Sequence, residues 1–170
     1  YHPSLDHYIG SKKKLFESLK KDFFTIINKD DSYGFEMGRE IVAKSLFYGI
    51  NESGNFKGKV IENNISGLSI EIDGYEMTSR LIGEFNAYNL LAVYAVTRTL
   101  GQDPLTILTI LSNLKAPEGR FEYVISPSKI TAIIDYAHTP DALENILKTL
   151  VSLKKGSEKI ITVFGCGGDR

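Results

Sequence analysis

Two ionisable side chains, Asp135 and His138, stand at the end of an apolar run, where a charged and a titratable group have few structural reasons to be. They point to a polar ligand. A second apolar run ends in Gly165-Cys166-Gly167-Gly168-Asp169-Arg170. Glycines accept the dihedral angles that aim successive backbone N–H groups at an anion, and a tight strand-to-helix turn uses them equally. The segment is neither a complete G-x-G-x-x-G nor the G-x-x-x-x-G-K-S/T phosphate loop. In Gly119-Arg120-Phe121-Glu122, Arg120 offers a rigid fork of donors for phosphate or carboxylate, or else forms an ordinary surface ion pair with Glu122. Asn86 and Asn89 lie one turn apart on an apolar helix; capping accounts for Asn86, whereas an amide further in needs partners of its own. Lys12, within Lys12-Lys13-Lys14, reads by itself as solvated, and His2 and His7 read as surface histidines.

The elements that position these groups follow from periodicity. Leu15, Phe16, Leu19 and Phe23 are spaced for a helix over about residues 5 to 20, with a short buried strand from Phe24 to Asn28 behind it. A helix opening near Asp30 or Asp31 and running to about Ser45 is expected next. From 56 to 83 apolar and polar residues alternate and Asp73-Gly74 is a hairpin turn, so that segment reads as antiparallel sheet. From Phe85 to Gly101 the pattern is helical and apolar nearly all round, hence buried. Asp103-Pro104 opens another helix with Leu105, Ile107, Leu108, Ile110 and Leu111 inward.

Lys129 to Asp135, the helix opened by Thr139-Pro140, and Lys159 to Phe164 then read as strand, helix, strand. Such a unit is a right-handed crossover between parallel strands, which brings Asp135, Tyr136, Ala137 and His138 to the same sheet edge as the Gly-rich end. Open α/β sheets bind ligands at that edge. The punctuation at Pro117 and Gly119 sets a domain boundary near residue 116, dividing the chain into 1–116 and 117–170.

Composition narrows the function classes. With 170 residues, 42% hydrophobic and 24% charged, the chain can bury a core. Its 20 basic and 21 acidic residues are interspersed, which leaves no electrostatic footprint for nucleic acid or an anionic membrane. Cys166 is the only cysteine, so no internal disulfide forms, and a reducing compartment, the cytoplasm, is expected. No stretch has the length of a membrane span or the pattern of a signal peptide. The chain begins on Tyr1 and stops on Arg170 straight after an apolar run, and both ends read as cut.

Asp135 to Glu144, DYAHTPDALE, followed by FGCGGDR at 164 to 170, is very similar to a paired signature of the Mur ligase family, in the branch that extends UDP-N-acetylmuramoyl-L-alanyl-D-glutamate. GEFNAYN at 83 to 89 resembles the family's adenine-site helix, EGRFE at 118 to 122 its linker, and YHPSLDHYIGSKKKLF at 1 to 16 its run into a metal-site lysine. The resemblance covers the whole chain. It implies an α/β fold: the second half of a central ATP-binding domain, then the start of a Rossmann-like C-terminal domain.

The resemblance implies roles residue by residue. Lys12 becomes carbamylated and helps hold Mg2+; Asn86 and Asn89 face adenine; Arg120 lies by the nucleotide; Asp135 takes the ribose hydroxyls; His138 lies in the same cleft; Asp169 and Arg170 orient substrate or nucleotide. The implied partners are ATP, the muramoyl dipeptide and a diamino acid, meso-diaminopimelate or L-lysine, for an enzyme that is monomeric at full length. The family's phosphate loop, its metal-binding histidine, its UDP-binding domain and its amino-acid-selecting motif are not among these residues, so the chain alone is expected to be inactive. A folylpolyglutamate synthetase shares the chemistry but carries other phrases in place of DYAHTPDALE and GCGGDR. A non-catalytic nucleotide-binding module is a further alternative, as is a dinucleotide oxidoreductase, which would place its glycines after the first strand and its acid after the second, the reverse of this order.

Overall fold

The computed structural model describes residues 4–52 and 54–165, so the expectations for His2, Cys166, Asp169 and Arg170 lie outside the described residues. Seven strands and five helices follow in an α/β order. Helix α1 (Leu5–Glu17) is opened by Ser4, whose side chain accepts from the His7 N–H at 3.2 Å. Its expected apolar stripe is covered only in part: Phe16 and Leu19 are half-buried, whereas Leu15 and, beyond the helix, Phe23 are more than half exposed. Strand β1 (Phe24–Asn28) has the predicted bounds and buries Thr25 and Ile27 on one face.

The long helix expected over 30 to 45 does not form. In its place come a short α2 (Gly34–Gly38) and a strand, β2 (Lys44–Gly49), that pairs parallel with β1 from Phe24↔Lys44 to Asn28↔Tyr48. Arg39 turns extended and Glu40 takes a φ of 61°, which ends the helix. Ser45, Leu46, Phe47 and Tyr48 gain a ladder beside β1 that a helix would deny them. Asp30 is not a cap but a binder of the loop after β2, as described below.

Strands β3 (Phe56–Asn64), β4 (Gly67–Ile72) and β5 (Tyr75–Ser79) form the predicted antiparallel meander. Asp73 and Gly74 both have positive φ, 49° and 85°, the requirement of a tight hairpin whose twist matches its strands. The sheet order is β1-β2-β3-β4-β5, parallel across β1, β2 and β3 and antiparallel beyond. Helix α3 (Glu84–Thr99) lays Ala87, Leu90, Leu91 and Tyr94 on Leu68, Ile70 and Ile72 of β4, and α4 (Pro104–Ser112) closes the core with Ile107, Leu108 and Leu111. Burying a residue of this size removes about 1.5–3 kcal/mol of apolar hydration, so this cluster dominates stability. Asp103 caps α4 as expected. Leu105 and Ile110, expected inward, are exposed, and so in part are Val93 and Val96 of α3, because only one face of each helix meets the core.

After α4, β6 (Glu122–Ile125) and β7 (Thr131–Ile134) form an antiparallel hairpin, and α5 (Pro140–Leu153) follows with Thr139 as its cap. The expected parallel crossover is therefore corrected: β7 takes β6 as its partner, and 159–164 is not a strand. The apolar run marks a segment able to pair, but pairing needs a covered face. Here Ile161, Val163 and Phe164 are exposed and α5 buries none of its residues. No helix among the described residues is long and apolar enough to cross a membrane.

Candidate functional site

Asp135 follows β7 and joins two segments through its carboxylate. Oδ2 accepts from the Phe121 N–H at 2.8 Å and Oδ1 from the Ala137 N–H at 2.7 Å. The sequence offered this acid few structural reasons; the staple is one. Each oxygen keeps a further lone pair for a ligand hydroxyl. Phe121 is 2% exposed, has a φ of 48°, and packs its ring on Phe85 of α3 at 5.8 Å between centroids. A bulky residue in the left-handed region is strained by about 1–2 kcal/mol, which burial of the ring and the bond to Asp135 offset. Gly119, with a φ of 66°, donates its N–H to Glu122 Oε2 at 3.1 Å. Glu122 therefore holds the turn, and no ion pair with Arg120 forms.

Between these two left-handed residues Arg120 projects into solvent, its guanidinium carbon 5.4 Å from the centroid of the Tyr136 ring. Tyr136 in turn lies 5.2 Å from the His138 ring, and His138 Nδ1 is 3.0 Å from the Tyr136 carbonyl oxygen. Arg120, Asp135 and His138 are thus brought together. The Phe85–Phe121 contact sets them beside the first turn of α3, where the Asn89 amide donates to Asn86 Oδ1 at 3.2 Å and the Asn86 amide to the Ile82 carbonyl at 2.8 Å. Asn89 is exposed, so its amide has water available, contrary to the expectation drawn from an apolar helix.

Lys12 is not brought to this group. It lies on α1, exposed, with Nζ 5.3 Å from the centroid of the Tyr8 ring one turn before it. The three lysines differ: Lys13 is 14% exposed and pairs with Glu36 of α2 at 3.1 Å, which fixes the rotation of α1 and leaves Lys12 on another face. Among the described residues no three His, Cys, Asp or Glu side chains converge as a metal site.

A second constellation escaped the sequence reading. Asp30, just past the carboxyl end of β1, accepts from the N–H groups of Ile50 at 2.7 Å, Asn51 at 2.9 Å and Glu52 at 2.7 Å, and from the Tyr88 hydroxyl of α3 at 2.9 Å. Tyr88 also accepts from the Asn51 amide at 3.2 Å. Partial burial pushes the Asp30 carboxyl up, but the four donors outweigh it and leave it below its ordinary value. The signal available was Asn28-x-Asp30-Asp31 straight after a strand; without the parallel partner β2, its donors could not be foreseen. The same bonds make Asp30 a stability determinant. Asp30→Ala should cost about 2 kcal/mol, since three N–H groups lose a charged acceptor, and its thermal midpoint should drop by several degrees. Because the folded carboxyl is depressed, its contribution is present above about pH 4 and fades as pH falls through the folded value. The thermal midpoint should therefore fall less between pH 6 and pH 2 in Asp30→Asn than in wild type.

Against known proteins, residues 1–97 match the Mur ligase middle domain and 119–170 the Mur ligase glutamate ligase domain. The UDP-N-acetylmuramoyl-L-alanyl-D-glutamate–2,6-diaminopimelate ligase of Cytophaga hutchinsonii is 50% identical over 170 residues, covering all of this chain and 35% of the relative. A solved structure of a ligase of that name superposes over the whole chain with a TM-score of 0.71 at 29% identity, covering 36% of it. MurF from Acinetobacter baumannii shares the fold over 88% of this chain and 34% of its own, with a TM-score of 0.78 at 18% identity. The chain thus spans about a third of the length of the relatives it matches.

Proposed function

Since this chain belongs to the Mur ligase family, we propose that it forms the nucleotide-binding middle portion of a cytoplasmic, ATP-dependent ligase that joins 2,6-diaminopimelate to UDP-N-acetylmuramoyl-L-alanyl-D-glutamate. Residues 1–116 are read as the later part of the central ATP-binding domain and 117–170 as the opening of the C-terminal domain. The observation that carries the proposal is the linkage of Arg120, Asp135 and His138: Asp135 bonds the N–H of the buried Phe121, Tyr136 meets both Arg120 and His138, and the Phe121 ring packs on Phe85, the chain neighbour of Asn86. That set suits an adenosine nucleotide: amides for a base edge, a carboxylate for vicinal hydroxyls, a guanidinium for phosphate.

Ligation of this class transfers the terminal phosphoryl group of ATP to the substrate carboxylate, and the amine then displaces phosphate from the acyl phosphate. Little covalent work falls to the protein; holding the nucleotide in line and neutralising charge carry the rate. In this reading Asn86 and Asn89 take adenine, Asp135 the ribose, and Arg120 the phosphates, with His138 lining the cleft and Asp169 and Arg170 orienting substrate or nucleotide. Mg2+, when bound, would neutralise phosphate charge, and this chain would supply one oxygen ligand to it, a carbamate on Lys12. The exposure of Lys12, free of the ion pair that holds Lys13, suits that modification. The test is to assay the full-length protein carrying these residues for ADP release that depends on the muramoyl dipeptide, with diaminopimelate and L-lysine compared. Release with diaminopimelate at least tenfold above lysine is expected; dipeptide-independent hydrolysis alone would refute the reading.

A further inference from the structure

Arg120 has no carboxylate within ion-pair distance among the described residues, and a long exposed side chain in that state samples many rotamers. What meets it is a ring. Tyr136 presents its face to the guanidinium at 5.4 Å and also meets His138, whose ring is 5.2 Å away and whose Nδ1 lies 3.0 Å from the Tyr136 carbonyl oxygen. The two loops that carry the pair are tied together one residue away on each side, because Asp135 bonds the N–H of Phe121. Phe121 is anchored in turn by its burial against Phe85. Tyr136 itself is 65% exposed, so the ring and the guanidinium it meets are both open to a ligand.

From this geometry we propose that Tyr136 is a positioning residue that holds Arg120 by a cation–π contact in the orientation in which it receives the phosphates of a nucleotide. Stacking engages the face of the guanidinium and leaves its in-plane N–H donors free, the donors that grip a phosphate. The staple at Asp135 sets the two loops in register, the ring restricts the arginine, and His138 restricts the ring. A nucleotide then meets a cation whose freedom has been largely removed beforehand, and less entropy is lost on binding.

The inference rests on the nucleotide reading above, and its test separates the two. In the full-length protein, binding of ADP and of adenosine is measured by calorimetry for wild type, Tyr136→Phe, Tyr136→Leu, Arg120→Ala and the Tyr136→Leu/Arg120→Ala double variant. Tyr136→Leu should weaken ADP about five- to tenfold while adenosine changes less than twofold. Tyr136→Phe, which keeps the ring face, should bind ADP as wild type does. The double variant should be no weaker than Arg120→Ala, because the ring acts only through the arginine. Equal losses for ADP and adenosine in Tyr136→Leu would instead mean a ring that touches the nucleoside or merely supports the loop, and would overturn the proposal, as would additive losses in the double variant. If ADP binds as expected but dipeptide-dependent ligation is absent, the ligase reading falls and the positioning role stands.

Discussion

Lys12→Ala in the full-length protein should reduce the turnover of the proposed ligation by about a thousandfold, a loss of the size seen when one preorganised charge-stabilising group is removed from a transition state. The substitution should leave the fold intact, since the side chain is exposed and its described contact is with the exposed Tyr8 ring of its own helix. Lys13→Ala is the informative control. It deletes the better-packed lysine and its bond to Glu36, and should cost stability of about 0.5–1 kcal/mol with a much smaller loss of rate. Mass spectrometry under conditions that preserve carbamates should find the extra carbon dioxide on Lys12 and not on Lys13 or Lys14. Added bicarbonate should do nothing for Lys12→Ala, which has no amine to modify, whereas a small carboxylate should restore part of the rate. Wild-type turnover in Lys12→Ala would remove this residue from the mechanism.

Asp135→Ala should raise the KM for ATP by roughly ten- to a hundredfold, the worth of a charge-assisted hydrogen bond, while the KM for the muramoyl dipeptide moves little. The staple adds a second consequence. Without the carboxylate the N–H groups of Phe121 and Ala137 lose their acceptor, and the strained Phe121 loses one of the two contacts that hold it. Stability should therefore fall together with ATP affinity, by about 1–3 kcal/mol. Steady-state kinetics in both substrates beside a thermal melt distinguish the roles: a stability loss with unchanged KM for ATP would leave Asp135 a staple only.

The legible parts of this molecule were those in which local pattern and local structure agree. Phe24 to Asn28, the Asp73-Gly74 turn, and the caps Asp103 and Thr139 are short-range features, and each stands where the sequence reading put it. The failures were non-local. Ser45 to Tyr48 could have continued a helix, and only the parallel neighbour β1 makes them a strand. Lys159 to Phe164 carries a strand pattern but has no ladder, and β7 turned to β6, an element the sequence reading did not resolve. The candidate site divides the same way. Asp135, His138, Arg120 and the two asparagines stood out by residue type, whereas Phe121, Tyr136, Asp30 and Tyr88 matter through contacts that no spacing announces.

The bond between Asp30 and Tyr88 spans 58 residues and ties the end of β1 to the helix that carries Asn86 and Asn89. One end of this bond is a carboxylate and the other a phenol. Burial, and then the hydrogen bond to Asp30, push the Tyr88 hydroxyl well above its ordinary value, so the folded chain keeps a proton that the unfolded chain releases near pH 10. Stability from this group is complete below that pH and drains away above it. One hydrogen bond thus closes the fold's working range at both extremes, a carboxylate that must stay ionised in acid facing a phenol that must stay neutral in alkali.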